Sequence, residues 1–342
     1  MNLFESIFRD NMFRKDDLGD FVGKFYYEGR RRKQYLVRFG VLTILSAIIA
    51  TYGVLQDSTA TVIGAMIIAP LMMPIMAMAT ALVMGRLDRA FRSFLTVTLG
   101  ALAVILIAWF LSETYFGFIS LETNGQITSR VAPNITDLFV ALASGAVAAF
   151  AMSRDDINDS LPGAAIAIAL VPPLAVVGVC LSVGNGQMAS GAFLLFLTNF
   201  LSIIVAGSLV LHLLGLSKMV TKKVEEKIAS KKIFRAIALG MLFIIIPLAV
   251  TTYNMLDTVN LQNDAQVVVS DWVDGSSYHL YELDVSNDII NITIAGSGDM
   301  PSFIEVVEDL EALSDKVLTI KLNAVQSQYH QYPEPKIEKV TN

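Results

Sequence analysis

Residues 64–95 read GAMIIAPLMMPIMAMATALVMGRLDRAFRSFL, and residues 163–194 read GAAIAIALVPPLAVVGVCLSVGNGQMASGAFL. The two segments align without a gap at a spacing of 99 residues, and ten of their 32 positions are identical. The identities of glycine and proline weigh most, because these residues shape the backbone whereas Ala and Leu recur in any apolar sequence. They are Gly64/Gly163, Pro74/Pro173 and Gly85/Gly184. This pattern predicts an internal repeat.

The chain around the repeat is apolar enough to cross a membrane several times. Hydrophobic residues make up 54% of its 342 residues and charged residues only 16%, whereas ordinary globular domains carry about 25% charged residues. The longest stretch without Asp, Glu, Lys or Arg, Ser160 to Ser217, has 58 residues. Because a span needs about 20 apolar residues, this stretch holds two spans that turn at residues 184–187. Seven spans are predicted in all: residues 37–55, 61–84, 92–112, 136–153, 161–183, 189–214 and 235–255.

The Lys and Arg residues predict how the spans are oriented. Twenty of the 25 lie in alternate segments, namely residues 1–38, 85–92 and 217–235 and the loop that holds Arg154. Segments that face the cytoplasm collect positive charge. We therefore expect a multi-pass protein of the cell inner (plasma) membrane, with a cytoplasmic N-terminus and an extracytoplasmic C-terminal domain.

The chain divides into six predicted segments. They are a cytoplasmic amphipathic N-terminal segment (1–36), two transmembrane repeats (37–112 and 136–214), a cytoplasmic charged linker (215–234), a seventh transmembrane helix (235–256) and an extracytoplasmic α+β domain (257–342). The first segment suits either a helix on the inner membrane surface or a helix packed on the bundle's own loops. In the last, residues 266–269, 278–285, 289–294 and 317–325 are strand-like, and residues 301–315 are helical.

The spacing of 99 residues pairs the first span with the fourth and the third with the sixth, so each copy of the repeat contains three spans. An odd number of crossings makes the two copies point in opposite directions across the membrane, as in many secondary transporters. The predicted fold is an all-α polytopic membrane bundle of about seven transmembrane helices, a 3+3 inverted repeat plus one, with a small C-terminal α+β extramembrane domain.

The repeated segments resemble a known family. The strings IGAMIIAPLMMPIMA (63–77) and LPGAAIAIALVPPLAVVGV (161–179) are similar to those of the bacterial and archaeal membrane family called domain of unknown function 389. The resemblance covers roughly residues 35–215. It implies a multi-pass membrane protein and names no settled substrate.

Prolines near the middle of two predicted spans mark the candidate site. A proline inside a helix removes a backbone hydrogen bond, and in lipid the freed group must face protein or a wet cavity. Two interpretations stay open: kinked packing helices, or broken helices that line a shared solute site at the midplane. No charged side chain lies in these segments, so recognition would use backbone groups, helix dipoles, hydroxyls and amides. The candidate residues are Gly64, Pro70, Pro74, Gly163, Pro172, Pro173, Thr198, Asn199 and Ser202.

Asp57 and Asp156 occupy equivalent positions just before each repeated segment. If the repeat is inverted, one carboxylate lies at the outer mouth and one at the inner, so both are candidates for gating. The alternative is that they are solvated loop carboxylates. Half-helix N-termini near Pro74 and Pro173 would present positive potential, which weakly favours an anion or the carboxylate of a zwitterion over a bare cation. Carbonyl oxygens freed by the prolines could instead hold a cation.

Other chemistries are disfavoured. The chain has one cysteine and three histidines, and no histidine pair has metal-ligand spacing. We expect no enzyme activity, no cofactor and no nucleic-acid partner; the expected partners are the lipid bilayer, a small solute or ion, and further copies of the chain in a homo-oligomer. The leading function is a transporter or channel. The alternative is a membrane scaffold or signal sensor that uses its extracytoplasmic domain and transports nothing.

Overall fold

The structure is a computed structural model that describes residues 12–13, 17–26, 29–115, 121–154, 170–219, 224–286, 289–298, 300–314 and 317–326. The chain forms two units, Met1–Thr251 and Thr252–Asn342. The described helices of the first unit are α1 (Asp17–Phe25), α2 (Gly29–Leu55), α3 (Thr59–Ile68), α4 (Met72–Met84), α5 (Leu87–Glu113), α6 (Gly125–Val131), α7 (Ile135–Met152), α8 (Val171–Ser182), α9 (Gly186–Leu213), α10 (Leu216–Met219) and α11 (Val224–Val273), whose last residues belong to the second unit.

Four helices, α2, α5, α7 and α9, are long and apolar enough to cross a membrane, as predicted for the first, third, fourth and sixth spans. The second predicted span is a pair of shorter helices, α3 and α4, which are bent by 51° relative to each other. The fifth is described only from α8 onward, because residues 161–169 lie outside the described residues. The seventh, 235–255, lies within the 50-residue helix α11. The total of seven spans stays a prediction.

The bend between α3 and α4 follows from Pro70. A proline disfavours the helical conformation of the residue before it, and Ala69 accordingly has an extended backbone with φ −64° and ψ 125°. Helix α3 therefore ends at Ile68, and α4 begins two residues after Pro70. A helix rises about 1.5 Å per residue, so neither the 10-residue α3 nor the 13-residue α4 crosses a membrane alone.

The short helices α4 and α8 form the centre of the first unit. Nearly all residues of α4, and those of α8 from Val171 to Cys180, are buried. Helix α4 packs against α5 and α9, and α8 packs against the same two helices and against α2. The long helices instead expose large apolar side chains, including Leu106, Phe110 and Phe139. Exposed apolar surface on long apolar helices is typical of a membrane bundle that faces lipid.

Small residues lie at two helix crossings at this centre. Where α8 crosses α5, a Cβ added to Gly178 would lie 2.5 Å from the Ala108 Cβ and 2.5 Å from the Ile105 carbonyl oxygen. Where α9 crosses α4, a Cβ added to Gly207 would be in ordinary van der Waals contact, 3.4 Å from the Met76 Cε and 3.7 Å from the Ala79 Cβ. Positions 79 and 108 shifted by 99 become 178 and 207. The two crossings thus join equivalent positions of the predicted repeat.

The helix boundaries follow the same spacing. Helices α4 and α8 begin at residues 72 and 171, and α5 and α9 begin at residues 87 and 186. The turn between each pair contains a glycine with positive φ, Gly85 at 77° and Gly184 at 75°, a conformation that glycine adopts without strain. The turn predicted at residues 184–187 is confirmed, and Asn185 caps α9 by accepting a hydrogen bond from the Met188 N–H at 3.0 Å.

The N-terminal segment packs on the bundle itself. Phe13, Phe21 and Phe25 are buried in the hydrophobic core of the first unit, and α1 packs against α4. The Phe13 N–H donates to the Leu214 carbonyl oxygen at 3.1 Å. The described part of this segment therefore follows the second of the two interpretations, a helix packed on the bundle, while residues 1–11 lie outside the described residues.

The second unit is a small α+β domain, as predicted. Strand β1 (Tyr278–Ser286) pairs antiparallel with β2 (Ile289–Gly296), which pairs parallel with β3 (Thr319–Gln326), and α12 (Phe303–Glu311) connects the last two strands. The buried face of β2 packs with α12 and the end of α11. The strand predicted at residues 266–269 is wrong. Ala265, Val269 and Val273 recur every four residues and form the apolar stripe of a helix.

The close crossing at Gly178 makes a first prediction. Gly178→Ala should lower the free energy of unfolding by about 1–3 kcal/mol, because the new Cβ would clash with a backbone carbonyl that cannot rotate away. Gly64→Ala is the matched control, since a Cβ there meets no atom within 4 Å. Thermal unfolding of purified protein in detergent measures both. Equal stability of the two variants would contradict the close crossing.

Candidate functional site

The predicted site residues lie on elements that meet at the centre of the first unit. Helix α8 packs against α3 and α9, and α9 packs against α4. Pro70 lies in the break between α3 and α4, and Pro74 is buried in α4. Pro172 and Pro173 are buried in the first turn of α8. Gly163 lies outside the described residues, so its position in the site stays a prediction.

The structure shows why prolines occur at these helix starts. The first four N–H groups of a helix have no partner within it, and in an apolar core such donors are costly. Pro74 and Pro173 are each the third residue of their helix, and Pro172 is the second residue of α8. No side chain caps either helix, since Leu71 and Leu170 precede them. Each proline removes one unpaired donor, so a helix can begin inside the bundle.

The same geometry weakens the expected preference for an anion. A helix N-terminus binds anions through its dipole and through free N–H groups that point at the ligand. In α8 the second and third residues are prolines, and in α4 the third is proline. The helix dipoles remain, but α4 and α8 have fewer free backbone N–H groups at their N-termini than we expected from the sequence. Freed carbonyl oxygens are left as an equally available means of recognition.

The three polar residues predicted on α9 are all buried, and they differ in their partners. Thr198 donates from Oγ1 to the Leu194 carbonyl oxygen of its own helix at 2.8 Å, a common intrahelical arrangement. Asn199 is 5% exposed and interacts with a neighbouring group. Ser202 is fully buried, and its Oγ has no hydrogen-bond partner in the part of the chain that the structure describes.

Sequence reasoning missed three further hydroxyls of this kind. Thr43 on α2, Thr80 on α4 and Ser112 on α5 are buried, and within the described residues their side-chain oxygens have no partner. Unpaired buried polar groups are uncommon and call for an explanation such as an unseen water or ion. In the sequence these residues are visible only as Ser and Thr inside apolar spans. Burial and the lack of a partner among the described residues, which the structure shows, distinguish them from hydroxyls bonded to their own helix.

Asp57 has a defined structural role. Its Oδ1 accepts a hydrogen bond from the Gln126 N–H at 2.9 Å, at the first turn of α6. The neighbouring Asn124 donates from its side chain to the Val54 carbonyl oxygen at 2.7 Å. Asp57 also adopts a positive φ of 50°, which Asp tolerates better than most residues. These contacts hold α6 against the junction of α2 and α3, so Asp57 is an exposed loop carboxylate that also has a structural partner.

The proposed gating role of Asp57 stays a prediction, and Asp156 lies outside the described residues. Arg130 on α6 faces Asp57 electrostatically; burial lowers the pKa of Arg130, and the Asp57 carboxylate partly opposes that shift.

Gly64 is half-buried and has open space beside its Cα, so packing does not require glycine there. Among the described residues no group of three or more His, Cys, Asp or Glu could hold a metal ion.

The unpaired Ser202 hydroxyl makes a second prediction. Ser202→Ala should leave the free energy of unfolding unchanged or raise it, because it removes a buried polar group that has no partner. Ser46→Ala is the control, since the Ser46 hydroxyl donates to the Ala65 carbonyl oxygen at 2.8 Å and its loss should cost about 1 kcal/mol. Thermal unfolding in detergent compares them, and a larger loss at Ser202 would show that its hydroxyl has a structural partner.

Comparisons with known proteins found one matching family and a similar archaeal protein. Residues 66–205 match the model of a family described as Domain of unknown function (DUF389). An uncharacterized protein of Methanocaldococcus jannaschii, MJ0678, is 32% identical over 186 residues, which cover 54% of this chain and 57% of the relative. The chain thus spans little more than half of this relative's length. No solved structure matches the chain. The resemblance stated from the sequence is confirmed for residues 66–205, which hold α4 to α8 and most of α9 and are similar to the DUF389 family.

Proposed function

We propose that the protein is a membrane transporter or channel for a small solute or ion, with its site at the two half-helices α4 and α8. The observation that supports this most is the pair of equivalent crossings, Gly178 with Ala108 and Gly207 with Ala79. They support an internal repeat in which each half-helix packs on the third helix of the other copy. Discontinuous helices at the interface of inverted repeats are the usual place for solute sites in secondary transporters.

A scaffold has little need for this arrangement. Beginning α4 and α8 inside the bundle leaves backbone groups without their usual helical partners. Those groups, together with the unpaired hydroxyls of Thr80 and Ser202, supply polar atoms in an otherwise apolar core. In a pathway for a solute or ion, they would take over the role of its hydration shell, as carbonyl and hydroxyl groups do in known channels and transporters.

Contacts between loops support the proposed alternation of sides. Phe13, in the proposed cytoplasmic N-terminal segment, contacts Leu214, the last residue of the sixth predicted span, and Tyr26 contacts Arg89 in a proposed cytoplasmic loop. Asp57 contacts Gln126, both in segments proposed to face outward, and Gly191, near the opposite end of the sixth predicted span, lies against the Val131 carbonyl. Each contact joins groups that the proposed topology assigns to the same side. We propose the inner membrane as the location, with the N-terminus cytoplasmic and the α+β domain outside.

The transport proposal predicts the effect of restoring helical donors. Replacing both Pro74 and Pro173 with Ala should lower solute flux by at least about tenfold with folding retained, because an unpaired N–H at each helix start adds a desolvation cost of about 1–3 kcal/mol and changes the polar groups presented there. Pro247→Ala is the control, because Pro247 lies inside α11 and outside both repeats.

The substrate for this test is found first. Small anions, cations and zwitterions are screened for thermal stabilisation of the purified protein, and flux of any hit is then measured in proteoliposomes. Folded double variants that transport as well as the Pro247 control would show that the breaks are packing kinks. Absence of flux for every stabilising solute would favour the scaffold or sensor function.

The proposed orientation predicts the labelling of the α+β domain. A cysteine at the exposed Ser277, in the turn before β1, should react with an impermeant maleimide in intact cells whose outer barrier has been permeabilised. Arg86→Cys, at an exposed position of the proposed cytoplasmic side, is the control that should stay unlabelled. The native Cys180 is buried and adds little background. Labelling of Ser277→Cys only in inverted vesicles would show that the α+β domain faces the cytoplasm, and would contradict the proposed orientation.

A further inference from the structure

A cavity of about 90 Å³ lies where α1, α2, α4 and α5 meet. Its polar lining is dominated by Arg32, Arg89 and Arg92, and no Asp or Glu is among the described residues that line it. Pro74 forms part of its wall. A single water molecule needs only about 10–15 Å³ of such space, so the cavity has room for a group of several atoms.

One wall of this arginine cavity is held rigidly. The Tyr26 hydroxyl donates to the Ala77 carbonyl oxygen at 2.7 Å, and the Arg89 guanidinium lies 4.4 Å from the centre of the Tyr26 ring. Burial raises the pKa of Tyr26 above its usual range, a shift that Arg89 opposes and Asp88 adds to. The hydroxyl therefore stays protonated and keeps its bond. A prearranged wall lowers the ordering cost of binding.

The surroundings combine cations with exposed apolar side chains. Next to the cavity, an open surface is lined by Arg32, Lys33, Leu36 and Val37. Leu36 and Val37 are 43% and 58% exposed at the start of the apolar stretch of α2. Asp88 is exposed and is the acidic group beside Tyr26, but it is not part of the cavity lining. Among the described residues that line the cavity, the three guanidinium groups are the charged ones.

We propose that the arginine cavity binds a phosphate group, with Arg32 and Arg92 as its principal ligands. Guanidinium groups form paired charge-assisted hydrogen bonds with phosphate oxygens, and Ser93 on the same wall offers a hydroxyl donor. The Thr96 hydroxyl donates to the Arg92 carbonyl oxygen of its own helix at 2.9 Å. The phosphate belongs either to the headgroup of an anionic lipid, whose chains would lie along Leu36 and Val37, or to a free phosphate compound. Basic pockets between transmembrane helices are typical sites for anionic headgroups. This inference does not rest on transport.

The test measures binding to the full-length protein in detergent, with phosphatidylglycerol in mixed micelles, phosphatidylcholine as the comparison whose phosphate charge is balanced by a cationic choline, and inorganic phosphate alone. Arg32→Gln with Arg92→Gln should weaken binding of the phosphate-bearing probe about tenfold or more, because two charge-assisted contacts are lost. Arg31→Gln with Arg86→Gln is the matched control. It removes the same charge from exposed positions outside the cavity and should change affinity less than about threefold.

A second variant keeps the arginines and closes the space. Ser93→Trp should fill the cavity and abolish binding without any change in charge, so it serves even if the double arginine variant does not fold. Phosphatidylglycerol binding without phosphate binding supports the site with a lipid as its source, and binding of phosphate alone supports it with a free compound. The proposal is overturned if neither probe binds, or if the control pair weakens binding as much as the cavity variants do.

Discussion

The close approach of helix backbones at glycine residues is the constraint on which the first unit depends. Without a hydrophobic driving force between helices in lipid, association relies on packing, and small residues let backbones approach. Gly178 against Ala108 brings α8 onto α5, and Gly145 against the Ile203 backbone joins α7 to α9. At the position equivalent to the first crossing, Gly207 of α9 is in ordinary van der Waals contact with Met76 and Ala79 of α4. These contacts leave the short helices α4 and α8 enclosed by longer ones.

A helix that begins inside a membrane bundle has backbone N–H groups without partners in its first turn, and prolines reduce their number. Pro70 ends α3 by making Ala69 extended, and Pro74, Pro172 and Pro173 remove donors that would otherwise lack partners. The prolines thus have two effects: Pro70 ends a helix, and the other three lower the cost of starting the next helix in an apolar environment. Among the described residues, the hydroxyls of Thr80 and Ser202 have no hydrogen-bond partner, and they are the polar side chains of the proposed pathway.

The sequence predicted those features that depend on local pattern. Charge-free stretches identified α2, α5, α7 and α9, and the recurrence of Gly85 at Gly184 identified the repeat spacing that the helix starts follow. Prolines were expected in mid-span, yet Pro172 and Pro173 lie in the first turn of a described helix. That difference depends on where the helix begins, which no local pattern reports.

Features that join distant residues could not be read from the sequence. Asp57 and Gln126 are 69 positions apart, so the cap on α6 became visible only in the structure. The arginine cavity gathers Arg32 with Arg89 and Arg92 from different helices, although the same residues had counted only as signs of orientation. At residues 266–269 a Val-rich stretch favoured a strand, and packing on the small sheet selected a helix instead.

The central claim is that the two copies of the repeat face opposite sides of the membrane, and equivalent positions test it most directly. Asp88 and Gln187 are both exposed, lie near the starts of α5 and α9, and are 99 residues apart. Each is replaced by cysteine and exposed to an impermeant maleimide. The labelling is measured in intact cells whose outer barrier has been permeabilised and in inverted vesicles. The account predicts that Gln187→Cys reacts in the cells and Asp88→Cys only in the vesicles. Labelling of both from the same side would contradict it.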